Sequence, residues 1–242
     1  MRPQIKATWI VFVLAIGSLT LMAAGNGPFD VHLPLALRNS AAPTATATSP
    51  APAVVVLPNS SWYQAGSSTV RVIGEVQNNG SQTVTAVLVT VNLINASGQV
   101  VKTEAVYTFL KYLPPGERTC FNLQLIDPAA WTRYEFETPT YVATSSTGPV
   151  LATTDVNASI NQFGWYKITG RVRNDDSVRV TGAEVIATLH SATGAALDCD
   201  AALANPSSLN PGQSSPFENT FTRRDDYADV ASYRLQTDGN RQ

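Results

Sequence analysis

Charged residues are scarce in this sequence. They make up 14% of the 242 residues, with 16 basic against 18 acidic side chains and a net charge of −2. The longest basic run is Arg223-Arg224, so neither nucleic acid nor an anionic membrane surface is an expected partner. The low charge argues against long charged helices, and the abundance of Thr, Ser and Val favours β-strands.

Histidine is scarcer still, with two residues in the sequence, which leaves few candidates for a histidine-based metal site or catalytic centre. Of the two histidines, His190 lies on a predicted strand, faces away from the core and is expected at the surface or at a sheet edge. No second His or Cys stands at ligand spacing from it, so no metal site is predicted. No Gly-x-Ser-x-Gly motif accompanies it, so no Ser-His-Asp triad is predicted. No cofactor and no catalytic residue are assigned.

The N-terminal residues predict export. Arg2 and Lys6 precede an uncharged, largely apolar run from Ala7 to Gly25, a pattern typical of a secretory signal peptide over residues 1–25. A retained membrane anchor is the alternative, because the run is long enough to span a bilayer. Residues 26–52 include a stretch of Ala, Pro, Thr and Ser that favours a disordered linker or stalk. The expected location is extracellular or on the cell surface.

An internal duplication organises the rest of the chain. Gly74-Glu75-Val76-Gln77-Asn78 returns as Gly170-Arg171-Val172-Arg173-Asn174, 96 residues later. The same offset relates Leu113-x-Pro115-Gly116 to Leu209-x-Pro211-Gly212 and Phe121 to Phe217. A period of this length predicts two domains, each with its own core. We place them at residues 53–138 and 148–242, and 138–147 either connects them or extends a strand.

Each copy predicts several short strands. Val70, Val72, Gly74 and Val76 alternate with residues of the opposite face, as in a half-buried strand. A third strand is expected at about Gln99 to Phe109, and a single helical turn at Asp127 and again at Asp226. Short strands separated by turn residues predict an all-β fold with two tandem immunoglobulin-like antiparallel β-sandwiches.

The two copies resemble FxLYD-type domains, an immunoglobulin-like family of bacterial extracellular and surface proteins. The resemblance rests on the Gly-x-Val-x-Asn opening, the strand and turn Val91-Asn92-Leu93-Ile94-Asn95-x-x-Gly98, the Leu-x-Pro-Gly turn and the Phe that follows it. It covers about Val70 to Glu137 and Tyr166 to Thr237. It implies non-enzymatic, surface-exposed repeats.

The two cysteines, Cys120 and Cys199, have three possible fates. An even number of cysteines in an exported chain favours a disulfide. They lie in different predicted domains, however, and a bridge needs Cα atoms within about 7 Å. We therefore expect two separate thiols, with an inter-domain disulfide and intermolecular pairing as alternatives.

Acidic and aromatic residues supply the remaining site candidates. Asp198-x-Asp200, and Asp225-Asp226 with Asp229, could bind calcium, but a solvent-facing edge strand and helix N-capping are the favoured interpretations. Trp131 and Trp165 are expected to pack in the core or between sheets. Trp62 could instead stack on a sugar ring. The loops that begin at Asn78-Asn79 and Asn174-Asp175-Asp176 are speculative ligand-binding sites.

Three functions follow from these predictions. The favoured one is a structural spacer or interaction protein. The second is an adhesin that binds a cell-envelope polysaccharide or a surface protein, and the third is an extracellular hydrolase. A surface aromatic cluster would favour the adhesin, whereas a deep pocket with convergent polar groups would favour the enzyme.

Overall fold

The computed structural model describes residues 53–242, which belong to one compact unit. The predicted signal peptide and most of the linker lie outside the described residues. Over this range the chain forms strands joined by turns, and it contains no helix that could span a membrane. The strands are β1 (Val54–Val56), β2 (Ser61–Ala65), β3 (Thr69–Asn78), β4 (Thr83–Ile94), β5 (Val100–Tyr107), β6 (Tyr112–Leu113), β7 (Arg118–Ile126), β8 (Arg133–Phe136), β9 (Thr140–Thr144), β10 (Leu151–Ile160), β11 (Tyr166–Asn174), β12 (Val180–Ser191), β13 (Ala196–Leu203), β14 (Ser214–Phe221) and β15 (Val230–Arg241).

The first repeat is a sandwich of two antiparallel sheets. In one sheet, β3 pairs with β7 on one side and with β1 and β2, placed end to end, on the other. In the second sheet, β4 pairs with β5 and β6 on one side and with β8 and β9 on the other. Strand β9 shows that the segment after residue 138 extends a strand of the first repeat.

The second repeat has the same arrangement with fewer interruptions. Its sheets are β10-β11-β14 and β13-β12-β15, all antiparallel. Single strands β10 and β15 replace the divided pairs β1/β2 and β8/β9. The predicted all-β fold of antiparallel sandwiches is confirmed, and β5 coincides with the expected third strand.

The two expected helical turns are absent from the structure. Asp127 has a φ of 46°, a left-handed backbone conformation, whereas a helix N-cap residue normally has an extended one. The Asp226 carboxylate accepts a hydrogen bond from the backbone N–H of Ala228 at 2.8 Å, which closes a local turn. The prediction mistook turn chemistry for helix capping.

The repeated glycine has a packing role. Gly74 lies opposite Phe121 on the neighbouring strand, and a Cβ at Gly74 would stand only 2.5 Å from Cζ of that ring. Gly170 faces Phe217 in the same way. The recurring Gly and Phe therefore form one packing unit in each core, which is a feature of the fold.

The two sandwiches dock through sheet faces that point away from their own cores. Ile73 and Cys120 of the first repeat form a buried cluster with residues of the second repeat, namely Ile186, Ala196 and Cys199. The backbone N–H of Ala196 also donates to the carbonyl of Asn59 at 2.8 Å. The second repeat is thus held against the first by apolar contact as well as by hydrogen bonds.

A disulfide crosses this interface. Cys120 and Cys199 are bonded to each other, with their Cα atoms 6.3 Å apart. The expectation of two separate thiols was wrong. It assumed that separate domains would keep the cysteines apart, but docking places β13 directly against β3 and β7.

A buried carboxylate provides the polar part of the interface. Glu75 is fully buried beside Cys120. Its side chain pairs with Arg234 of the second repeat and with His190 Nε2 at 3.1 Å, and it accepts a hydrogen bond from Asn59 at 2.5 Å. Burial alone would raise the pKa of Glu75, but the hydrogen bond with His190 and the charge of Arg234 outweigh it and lower the pKa to about 2.

The disulfide is expected to contribute a large share of the stability. It joins residues 79 positions apart, so its loss would free a long loop in the unfolded chain and cost about 4 kcal/mol. We predict that the variant Cys120→Ala/Cys199→Ala unfolds at a lower urea concentration, measured on the full chain by tryptophan fluorescence. Treating the unmodified protein with a reductant is the control and should have the same effect. An unchanged midpoint under reduction would contradict the prediction.

Glu75 is expected to make stability depend on pH. Its pKa is depressed in the folded state, so its contribution is present above the ordinary value of 4.5 and is lost as pH falls towards about 2. We predict that Glu75→Gln lowers the free energy of unfolding by about 3 kcal/mol at pH 7 and by much less near pH 2. Urea unfolding at several pH values measures this difference. Glu104→Gln serves as the control, because the side chain of Glu104 is 43% exposed and pairs only with the partly exposed Lys102. A difference that does not change with pH would refute the prediction.

Candidate functional site

The asparagine that ends each Gly-x-Val-x-Asn motif is a structural clamp. Asn78 is fully buried. Its side-chain amide donates to the carbonyls of Gln82 and Leu113 at 2.8 and 2.9 Å, and its Oδ1 accepts from the N–H of Gly80 at 2.9 Å. One side chain therefore fixes the turn after β3 and ties it to the Pro-Gly turn.

The second repeat uses the same clamp. Asn174 is also fully buried, and its amide donates to the carbonyls of Val178 and Leu209, each at 2.9 Å. Neither Asn78 nor Asn174 is available to a ligand, which corrects their assignment as candidate ligand-binding residues. The turn requires the buried amide, because the backbone carbonyls beneath it need donors.

Of the other three loop candidates, one is buried and two are exposed. Asp176 is buried, pairs with Arg241 at 2.9 Å and accepts from the backbone of Val150, so it too is structural. Asn79 and Asp175 are exposed. They occupy equivalent positions in the two loops, and a ligand-binding role for them stays a prediction.

The acidic pair Asp198-x-Asp200 is neutralised by the protein itself. Asp198 is fully buried, not solvent-facing as expected, and accepts a hydrogen bond from the hydroxyl of Tyr227 at 2.7 Å. Burial raises the pKa of Asp198. The guanidinium of Arg223 lies 2.7 Å from Asp200 and 4.0 Å from Asp198, in the position that a cation would need.

No other acidic group offers a metal site in the described part of the chain. Arg224 pairs with Asp229 at 2.9 Å, within the cluster that contains Asp225 and Asp226. Across residues 53–242, no three His, Cys, Asp or Glu side chains are grouped so that they could hold a metal ion.

His190 is buried, contrary to its expected position at the surface. It does face away from the core of its own sandwich, but the first repeat covers it and leaves it 8% exposed. Its partner there is Glu75. Placed between two docked sheets, this pair serves the interface, and we assign it no catalytic role.

An exposed aromatic group lies at the open edge of the first sandwich. Trp62 on β2 is 50% exposed and meets Trp131, which precedes β8, edge to face with ring centroids 4.8 Å apart. The two indoles border a cleft of about 440 Å³. The residues lining this cleft, which we call the aromatic cleft, are Trp62, Gln64, Trp131, Thr132, Arg133 and Tyr134.

A chain of aromatic contacts anchors the cleft to the core. Trp131 contacts Tyr134, Tyr134 contacts Phe136, and Phe136 contacts the fully buried Phe121, at centroid distances of 6.5, 5.5 and 5.6 Å. The hydroxyls of Tyr134 and Ser60 are 3.0 Å apart. These contacts restrain the rings of Trp131 and Tyr134, so the lining of the cleft is preorganised.

The prediction of core packing is confirmed in part for Trp131 and is wrong for Trp165. Trp131 is partly buried and packs against the first core while also lining the cleft. Trp165, expected in the core, is 41% exposed and lies in the turn between β10 and β11 beside Phe163. It directly precedes β11, and its side chain is partly exposed to solvent at the end of the sandwich and does not lie in the core.

Sequence reasoning selected Trp62 but missed the polar and aromatic residues around it. Gln64 lies two residues from Trp62 on the same strand and therefore on the same face. Arg133 and Tyr134 belong to β8 in the other sheet. The available signal was the difference between the copies, because Ala158 and Val230 stand where the first repeat has Trp62 and Trp131.

Comparisons with known proteins give only distant similarity. No family model and no curated protein matches the chain, so membership of the FxLYD-type family stays a prediction. Similar solved structures include red sea bream transglutaminase, with 10% identity over 78% of this chain and 29% of that chain and a TM-score of 0.23. The exo-chitosanase CsxA of Amycolatopsis orientalis has 13% identity over 76% of this chain and 26% of that chain, with a TM-score of 0.26. This chain thus spans less than a third of either enzyme, and the similarity carries no argument about function.

Proposed function

We propose that this is an exported, non-enzymatic bacterial surface protein whose two immunoglobulin-like modules act as one stiff spacer and interaction body. The observation that carries the proposal is the docked interface between the sandwiches. Domains joined by a linker normally move relative to one another unless a large or strong interface holds them. Here an apolar cluster, a disulfide and the bonds of Glu75 all hold them.

The disulfide also supports an extracellular location. Such bonds persist in oxidising compartments and are rare in the cytosol. The predicted signal peptide and stalk agree with this location. Within the described residues, His190 is paired with Glu75, and the Asp198 carboxylate accepts a hydrogen bond from the hydroxyl of Tyr227.

An adhesin is the second candidate, and the aromatic cleft favours it. Trp62 is a large apolar side chain with half of its surface in solvent. Exposed aromatic groups bordered by polar residues commonly mark interaction sites. In this case the stiff body would serve to present the cleft to its partner.

Export and oxidation together test the proposal. We expect the full chain, expressed in a bacterial host, to be recovered outside the cytoplasm with both cysteines unreactive towards a maleimide after denaturation. A variant without residues 1–25 is the control and should remain in the cytoplasm with reactive thiols. Recovery of the full chain in the cytoplasm with reactive cysteines would refute the proposal.

A further inference from the structure

The aromatic cleft is one of three clefts that follow one another along one edge of the first sandwich, and together we call them the groove. A second cleft of about 410 Å³ shares Gln64 and Trp131 with it. A third, of about 450 Å³, lies between β1 and the chain from Glu135 to Pro139, directly after Tyr134. The stretch of β3 beside this edge, from Val70 to Asn78, spans about 26 Å. The groove is therefore long enough for an extended polymer.

The second repeat shows that this groove is not required by the fold. Trp62 pairs with Val72 on β3, and at the equivalent place in the second repeat Ala158 pairs with Ile168. Further along the corresponding edge, the hydroxyl of Thr237 lies 3.3 Å from the carbonyl of Leu151. The same sandwich thus folds with Ala158 in the place of Trp62, so the fold itself does not require this tryptophan.

The chemistry of the aromatic cleft favours an uncharged ligand. Its one formally charged lining residue, Arg133, is bound to Glu135 at 2.9 Å. No unpaired charge there would attract an anion or a cation. The groups presented are indole rings, a phenol ring, the exposed amide of Gln64 and the partly exposed guanidinium of Arg133.

This combination matches a sugar chain. The faces of pyranose rings carry C–H groups that pack on electron-rich aromatic rings, and their edges carry hydroxyls that need hydrogen-bond partners. Amide and guanidinium groups supply such partners in a planar arrangement. The aromatic cleft presents both kinds of group, because Trp62, Trp131 and Tyr134 line it together with Gln64, Thr132 and Arg133.

We propose that the groove, of which the aromatic cleft is part, binds an uncharged polysaccharide. Sugar rings pack on Trp62 and Trp131, and their hydroxyls bond to Gln64 and Arg133. This inference rests on the proposed function, since it names the partner class of the interaction body. It assigns the binding site to the first repeat alone.

Affinity electrophoresis of the full chain tests the proposal. Native gels would contain hydroxyethyl cellulose, xylan, mixed-linkage β-glucan or galactomannan as uncharged probes. We expect at least one of these to retard the protein, and Trp62→Ala to weaken that binding about tenfold or more. Trp165→Ala is the matched control, because Trp165 is a similarly exposed tryptophan of the second repeat, and it should bind as the unmodified protein does.

The outcomes separate the possible failures. Thermal unfolding of Trp62→Ala near the temperature of the unmodified protein would show that the fold persists, so that lost binding is a local effect. No retardation in any gel, or equal binding by the Trp62 and Trp165 variants, would overturn the proposal. Capture of immobilised peptides without retardation in polysaccharide gels would also overturn it, in favour of a protein ligand. The export assay is independent, so a protein that is exported and oxidised but binds no sugar refutes the polysaccharide site alone.

Discussion

The buried carboxylate of Glu75 constrains how the two sandwiches can be joined. It lies on the outer face of β3, where the second repeat removes it from solvent. A buried charge without partners costs several kcal/mol. Arg234 and His190 of the second repeat supply partners for it, beside Asn59 and Arg118 of the first repeat. The apolar contact around Ile73 is less directional, so the paired charge adds an orientation-dependent restraint to those of the disulfide and the backbone hydrogen bond.

The strands could be predicted from the sequence because two copies gave the same signal twice. Alternation in β3 and β11 and the Pro-Gly turns appear in both, and each corresponds to a local constraint. The docking could not be predicted in this way. Charged residues on an outward face, such as Glu75, have the pattern of ordinary surface residues, and only the fold of the whole chain brings the second repeat over them.

The sequence nevertheless contained a signal for the docking, in the differences between the copies. Ile73 on the outer face of β3 corresponds to Thr169, and Ile186 on the outer face of β12 corresponds to Thr90. Each outward isoleucine is buried in the interface. Positions that agree between the copies maintain the fold, as Asn78 and Asn174 do, whereas positions that differ mark what each copy does alone. The same comparison of aromatic residues finds Trp62 in the first repeat where the second repeat has Ala158, so this aromatic side chain is specific to the first repeat.

The path of the disulfide has a mechanical consequence. A force that pulls on the two ends of the described chain would be carried by the bond between Cys120 and Cys199. The segment between these cysteines, which are 79 positions apart, could not be extended while the bond remains. That segment, fully extended, would add about 270 Å of length. It contains the end of the first repeat and the first half of the second. Tension would therefore act on residues 53–120 and 199–242, and a single covalent bond would limit how far this body could lengthen under load.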